Sequence, residues 1–82
     1  MSIFKTYDYS VAIHATEIRP LGRFNYEAKA TRIFDQRTQR EVPLTPENTC
    51  INWGVGAAEA KAKVREDVER WAALERRKVD GS

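Results

Sequence analysis

The hydrophobic period of this chain changes once, at Gly54-Val55-Gly56, and this change constrains the fold more than any other feature. Before it, apolar residues recur at every second position, which is typical of strands buried on one face. After it, they recur at every third or fourth position, which predicts one amphipathic helix. The apolar stripe of that helix consists of Ala57, Ala60, Val64, Val68 and Trp71.

Two long strands are predicted, over residues 5–18 and 23–34, where aromatic and β-branched residues alternate with polar ones. The alternation fails at Arg32-Ile33-Phe34, where either a β-bulge shifts the phase or the strand ends. A further short strand is predicted at 41–44, at 49–53, or at both. Proline and glycine between the two long strands, in Arg19-Pro20-Leu21-Gly22, indicate a turn.

We therefore predict one small α+β domain spanning residues 1–82, because a chain of this length forms a single core. The architecture is β-β-β-α: an antiparallel sheet of three or four strands with one C-terminal helix packed on one face. The helix is predicted over 57–78 and a frayed tail over 79–82.

The large rings are predicted to lie in the core, because alternation or helical spacing places all of them on inward faces. They are Tyr7, Tyr9, Phe24, Tyr26, Trp53 and Trp71. The opposite, open face of the sheet is then mixed in charge and has no rings. A sheet that stacks the bases of single-stranded RNA needs rings on that face, so this mode of binding is disfavoured.

Composition favours a soluble cytoplasmic protein. The single cysteine, Cys50, allows no internal disulfide, and small extracellular domains usually contain several. No stretch approaches the ~20 apolar residues of a membrane span, and the first residues lack a signal-peptide pattern. The net charge of +2 is too small and too evenly spread to identify a polyanionic partner.

No constellation of residues predicts catalysis, a metal or a cofactor. His14 is the only histidine and has no recognisable nucleophile or orienting partner nearby. With Cys50 it cannot supply four zinc ligands, and Cys50 is interpreted as a small core residue. Gly54-Val55-Gly56 lacks the third glycine of a dinucleotide fingerprint, since position 59 is Glu, and is interpreted as a tight strand-to-helix turn.

Strands followed by Gly-Val-Gly-Ala-Ala-Glu-Ala-Lys-Ala-Lys at the start of a helix resemble two known arrangements. One is the double-stranded RNA-binding domain, although Ala57, Ala58 and Glu59 stand where that family has lysines, with Lys61 and Lys63 following. The other is the sheet-plus-helix half of HicB-type antitoxins. The second resemblance implies binding to a partner protein, and both are resemblances of architecture.

Two functions rank ahead of an enzyme, for which no acid–base pair or nucleophile stands out. The first is a non-enzymatic module that binds a protein partner or a second copy of itself, by an exposed sheet edge or by the open face. The second is a nucleic-acid-binding module that uses basic residues in and near the turns, with the Arg76-Arg77-Lys78 end of the helix. Its candidate residues are Arg19, Arg23, Arg32, Arg37 and Arg40.

Overall fold

The computed structural model describes residues 2–18 and 25–81, with side chains up to Lys78. It contains five strands, a one-turn helix and a long C-terminal helix. In chain order they are β1 (Ser2–Thr6), β2 (Tyr9–Glu17), β3 (Tyr26–Asp35), β4 (Arg40–Val42), α1 (Pro46–Thr49), β5 (Asn52–Gly54) and α2 (Ala57–Gly81). Turn Arg19-Pro20-Leu21-Gly22 and Phe24 lie outside the described residues.

The strands form one antiparallel sheet in the order β1-β2-β3-β4, and β5 also pairs with β3. Strand β2 runs along the whole of β3, so β4 and β5 lie end to end on the far side of β3. They pair with Ile33–Asp35 and Tyr26–Ala28, respectively. The α+β class and the packing of a C-terminal helix on the sheet are thus confirmed, with five strands where three or four were predicted.

The strand predicted over 5–18 is in fact a hairpin, because Tyr7 and Asp8 form a two-residue turn between β1 and β2. Tyr7 has a left-handed backbone with φ 53°, and Asp8 is a residue that favours turns. Since Thr6 pairs with Tyr9 across this turn, the inward positions change from even numbers in β1 to odd numbers in β2. Tyr7 itself is exposed, so its predicted place in the core is wrong.

A β-bulge interrupts β3 where the alternation fails. The pairing passes from Ala12–Arg32 to Ile13–Ala30, which leaves Thr31 without a partner in the ladder. The Thr31 hydroxyl donates to the Ala12 carbonyl oxygen across 3.3 Å. The extra residue shifts the phase, so that Ala30 and Ile33 both face the helix and both are buried.

The core lies between β2, β3 and the middle of α2. The fully buried helix residues are Ala60, Val64, Val68 and Ala72, which confirms most of the predicted stripe. Small alanines bring the helix close to the sheet, and the Trp71 ring packs 5.0 Å from the Tyr9 ring between centroids. The helix continues to Gly81 instead of fraying from 79, because the run holds no proline and reaches glycine only at its last residue.

Candidate interaction surface

Strand β1 is an open edge of the sheet. It pairs with β2 on one side, and no described residue hydrogen-bonds to its backbone on the other side. Phe4 packs against the core, whereas Ile3 points to the open face and is 69% exposed. An uncovered edge presents unpaired amide and carbonyl groups to any strand of suitable length, so β1 is a ready site for strand addition.

The β5 part of the opposite edge is covered by side chains of α2. Lys63 Nζ donates to the Trp53 carbonyl oxygen across 2.8 Å, and the Val55 amide donates to Glu59 Oε2 across 3.1 Å. Lys63 and Glu59 also form an ion pair at 3.5 Å. Strand β4 has three residues and is followed by Pro43, which has no amide hydrogen to donate. Strand addition is therefore hindered at the β4–β5 edge, whereas β1 has no such protection.

Strand β5 faces the other way from its prediction. Its inward residues are Asn52, which donates to Asp67 Oδ2 at 2.6 Å, and the buried Gly54. Trp53, expected in the core, is 43% exposed, and Ile51 is exposed beside it. The reason is that the start of α2 lies so close to β5 that only glycine fits between them.

The open face of the sheet contains rings, contrary to the prediction. Phe34 lines a shallow hollow of about 230 Å³ with Ile3, Ala12 and Arg32. Trp53 lies opposite Glu27 in the pairing of β5 with β3. Its indole N–H donates to Glu27 Oε2 across 3.1 Å, which holds the ring on the open face. This face therefore has rings on which bases could stack.

Of the basic residues predicted to bind phosphate, Arg32 and Arg37 lie beside carboxylates in the described part of the chain. Arg32 pairs with Glu41 on the open face. Arg37 lies in the turn after β3, with its Nε 3.3 Å from Asp8 Oδ2 and 3.7 Å from Asp35 Oδ1. Arg40 is exposed at the start of β4. Arg19 and Arg23 lie outside the described residues.

Asp8 is the centre of a small ionic cluster at one end of the molecule. It forms ion pairs with Arg37 and, at 3.5 Å, with Arg76 Nη1, and the Arg76 guanidinium also lies over the Tyr7 ring. The cluster ties the β1–β2 turn to the β3–β4 turn and to the end of α2. Its two arginines thus hold the structure together, in addition to any role at the surface.

The remaining candidate groups show no assembled chemistry. His14 is exposed on the open face, opposite Lys29. Cys50 is half-buried near α1, and burial raises the pKa of its thiol, with the negative charge of Asp67 adding to the effect. A raised pKa lowers the fraction of reactive thiolate. At Gly54-Val55-Gly56, Glu59 already occupies the Val55 amide that an anion would need.

A second surface feature is a groove of about 710 Å³ between α1 and the last turns of α2. Its floor contains Pro46, Trp71 and the exposed Leu74. Its rim carries both signs of charge, from Glu47, Asp67, Arg70, Arg77 and Lys78. The mixed rim selects neither an anionic nor a cationic ligand.

Among the described residues, no three His, Cys, Asp or Glu side chains are grouped in a way that could bind a metal ion. None of the described helices combines the length and the apolar character needed to cross a membrane. No protein-family model, curated protein or solved structure matches this chain.

Proposed function

We propose that this chain is a non-enzymatic interaction module that acts by accepting a protein strand at the β1 edge. The observation that carries the proposal is the contrast between the two edges of the sheet. Lys63 binds the Trp53 carbonyl oxygen in β5 and Glu59 binds the Val55 amide just after it, while the backbone of β1 is open along Ser2–Thr6. Proteins commonly protect the edges at which pairing would be harmful, so an unprotected edge is a candidate for use.

Two further observations support action by contact. Ile3 is strongly exposed for an aliphatic residue and adjoins the Phe34 hollow, so a docked strand would bury apolar surface as well as pair its backbone. His14 and Cys50 lie apart, one exposed on the open face and the other packed against the helix side of the sheet. We infer that neither serves a reaction, and that the chain acts in the reducing cytoplasm.

The test compares two substitutions at exposed aliphatic positions on different surfaces. Ile3→Lys places a charge at the β1 edge, and Leu74→Lys places the same charge in the groove beside α2; both positions are more than half exposed, at 69% and 55%. Sedimentation velocity reports self-association, and affinity capture from lysate reports partners. We expect Ile3→Lys to weaken every complex that the wild-type protein forms, and Leu74→Lys to leave those complexes intact. A wild-type protein that stays monomeric and captures no partner would show that the proposal is wrong.

Binding of nucleic acid is the second candidate, and the exposed Trp53 ring on the open face is the observation that favours it. Base stacking on such a ring is worth about 1–3 kcal/mol per base. The carboxylate of Glu27 beside the ring and the pairing of Arg32 with Glu41 weaken the attraction for phosphate. Anisotropy of labelled single-stranded and duplex oligonucleotides across a salt series measures both the affinity and the number of phosphates contacted.

For this second candidate, Trp53→Ala and Arg37→Ala separate stacking from structure. Loss of single-strand binding in Trp53→Ala alone would support a stacking sheet. Arg37→Ala removes the contacts to Asp8 and Asp35 and is expected to lower the melting temperature while leaving the salt slope unchanged. A salt slope reduced by about one in Arg37→Ala would instead assign that side chain to a phosphate.

A further inference from the structure

We propose that the strand docked on β1 is β1 of a second copy, paired antiparallel about a two-fold axis at Phe4. This inference rests on the proposed function and specifies its partner. The symmetric arrangement places Ser2 opposite Thr6 of the second copy, Phe4 opposite Phe4, and Ile3 opposite Lys5. All five residues of β1 are then paired.

The pleat of the strand limits the registers available. Because side chains alternate in direction, a shift by one residue would put the two helices on opposite faces of the joined sheet. Registers that keep both helices on one face centre the axis on Ile3, Phe4 or Lys5. An axis at Lys5 sets two lysines directly opposite each other, which is unfavourable, and an axis at Ile3 pairs only Ser2–Phe4 within the two β1 strands. The axis at Phe4 avoids both defects.

The side chains of β1 suit this self-pairing on each face. On the helix side, two Phe4 rings become neighbours, flanked by hydroxyl pairs of Ser2 with Thr6, and both kinds of cross-strand pair are favourable. Arg65 already stacks on Phe4, with its guanidinium carbon 5.1 Å from the ring centroid. On the open side, the aliphatic stem of Lys5 lies along Ile3 of the second copy, and its ammonium group remains in water.

The space beside β1 also fits a partner. A hollow of about 280 Å³ lies between this strand and α2, lined by Phe4, Ala58, Ala62 and Arg65 among others. The strand and ring of a second copy would cover its open side. The two copies have the same hollow, so one two-fold contact covers both.

The two edges together explain why the assembly would stop at two copies. Self-pairing of β1 uses the longer open edge among the described strands, since β4 has only three residues, and it uses that edge in both copies at once. The outer edges of the joined sheet are then the β4–β5 edges, where Lys63 and Glu59 occupy the backbone groups of Trp53 and Val55. Such an interface is closed and does not propagate into fibres.

The experiment uses opposite charges at Ile3. In the proposed dimer, position 3 of each copy lies opposite Lys5 of the other copy, so there are two such pairs. A Glu at position 3 attracts Lys5 in both pairs, and a Lys at position 3 repels Lys5 in both. We expect Ile3→Glu to lower the dimer dissociation constant roughly 3- to 10-fold at low salt, and Ile3→Lys to raise it by a similar factor. High salt should remove the gain in Ile3→Glu. Sedimentation equilibrium over a concentration series measures all three proteins, with Leu74→Glu and Leu74→Lys as matched controls that should not differ.

Three outcomes would overturn the inference. If both charges at Ile3 shift the dissociation constant in the same direction, Lys5 does not face that position and the register is wrong. If the Leu74 variants respond instead, the interface lies on the α2 groove. A wild-type chain that stays monomeric but captures a different protein in an Ile3-dependent way would refute self-pairing, while the proposed function would stand.

Discussion

Gly54 lies directly beneath the first turn of α2, so close that a Cβ at this position would come within 2.6 Å of the Ala60 amide nitrogen. No side chain fits in that gap, because the obstacle is backbone. This contact turns the short strand β5 so that Trp53 points outward, and it places Lys63 where it reaches the Trp53 carbonyl oxygen. One close approach of backbone to backbone thus determines both the exposed ring and the blocked edge.

Gly54→Ala should therefore destabilise the protein. We expect the free energy of unfolding to fall by about 1–3 kcal/mol, since an inserted methyl group forces the strand and helix apart. Gly56→Ala is the matched control, because nothing lies within 4 Å of a Cβ there. Its effect should stay within about 0.5 kcal/mol. Urea denaturation of both variants measures the difference, and equal losses would contradict the close approach at Gly54.

The two tryptophans should contribute very differently to stability. Trp71 packs against the core and Tyr9, so Trp71→Ala should lower the free energy of unfolding by about 2–4 kcal/mol. Trp53 is exposed, so Trp53→Ala should lower it by less than about 1 kcal/mol. Thermal or urea unfolding compares the two variants. Trp53→Phe should also remove the solvent-exposed, red-shifted part of the fluorescence emission. A larger loss in Trp53→Ala would mean that β5 has the orientation predicted from its sequence.

The helix was predictable because its stripe repeats over several turns. Ala60, Val64 and Val68 are buried as the spacing predicts, and the helix starts at Ala57 after the glycines. A long periodic segment averages out local ambiguity, since each buried position supports the next. The bulge in β3 was likewise foreseen as one of two alternatives at the point where the alternation fails.

Short elements were not predictable in the same way. In β5, hydrophobicity alone favours Ile51 and Trp53 inside, and only the tertiary contact of Gly54 with the helix reverses this orientation. The hairpin at Tyr7 and Asp8 was missed because Tyr7 continues the odd-numbered apolar pattern of Tyr9 and Val11, although the inward residue before the turn is Thr6. Arg37 looked like a solvated phosphate ligand because Asp8 and Asp35, its partners, come from two different turns.

That β1 is the open edge was not predicted, because residues 5–18 were predicted to form a single strand. The signal was present, since Phe4 and Thr6 alternate with Ile3 and Lys5, and Asp8 follows as a turn residue. Which edge is covered could not be derived from the sequence, because Lys63 and Trp53 are brought together only by the packing of α2 on β5.

The Cys50 thiol should react slowly with iodoacetamide at neutral pH. Burial raises the pKa of this thiol and Asp67 raises it further, so the alkylation rate of the folded protein should rise at higher pH than in urea. Because the folded pKa is above the unfolded one, the unfolded chain loses its proton first. The contribution of the Cys50 thiol to the free energy of unfolding is therefore fully present below the pKa of the thiol in the unfolded chain. It is lost as the pH rises from that pKa through the higher pKa of the folded protein.

Mass spectrometry of the alkylated protein across a pH series gives both curves for Cys50. Cys50→Ser is the control for stability, because it removes the titration of the thiol and should remove the alkaline decline that the thiol contributes. A rate curve displaced toward acid in the folded protein would indicate an activated thiol and would reopen the question of reactivity at this position.

Lys63 should prevent the β5 edge from pairing with a strand of another copy. Lys63→Met keeps an apolar stem of similar length and removes the ammonium group that donates to the Trp53 carbonyl oxygen. The uncovered backbone then lies beside the exposed Ile51 and Trp53 side chains, a combination that invites pairing between copies. We expect species larger than a dimer in light scattering, because each chain then has two open edges, at β1 and at β5. Lys78→Met, which removes the 3.3 Å ion pair with Glu75 near the end of α2, is the control. If both variants scatter alike, the bond from Lys63 does not protect this edge.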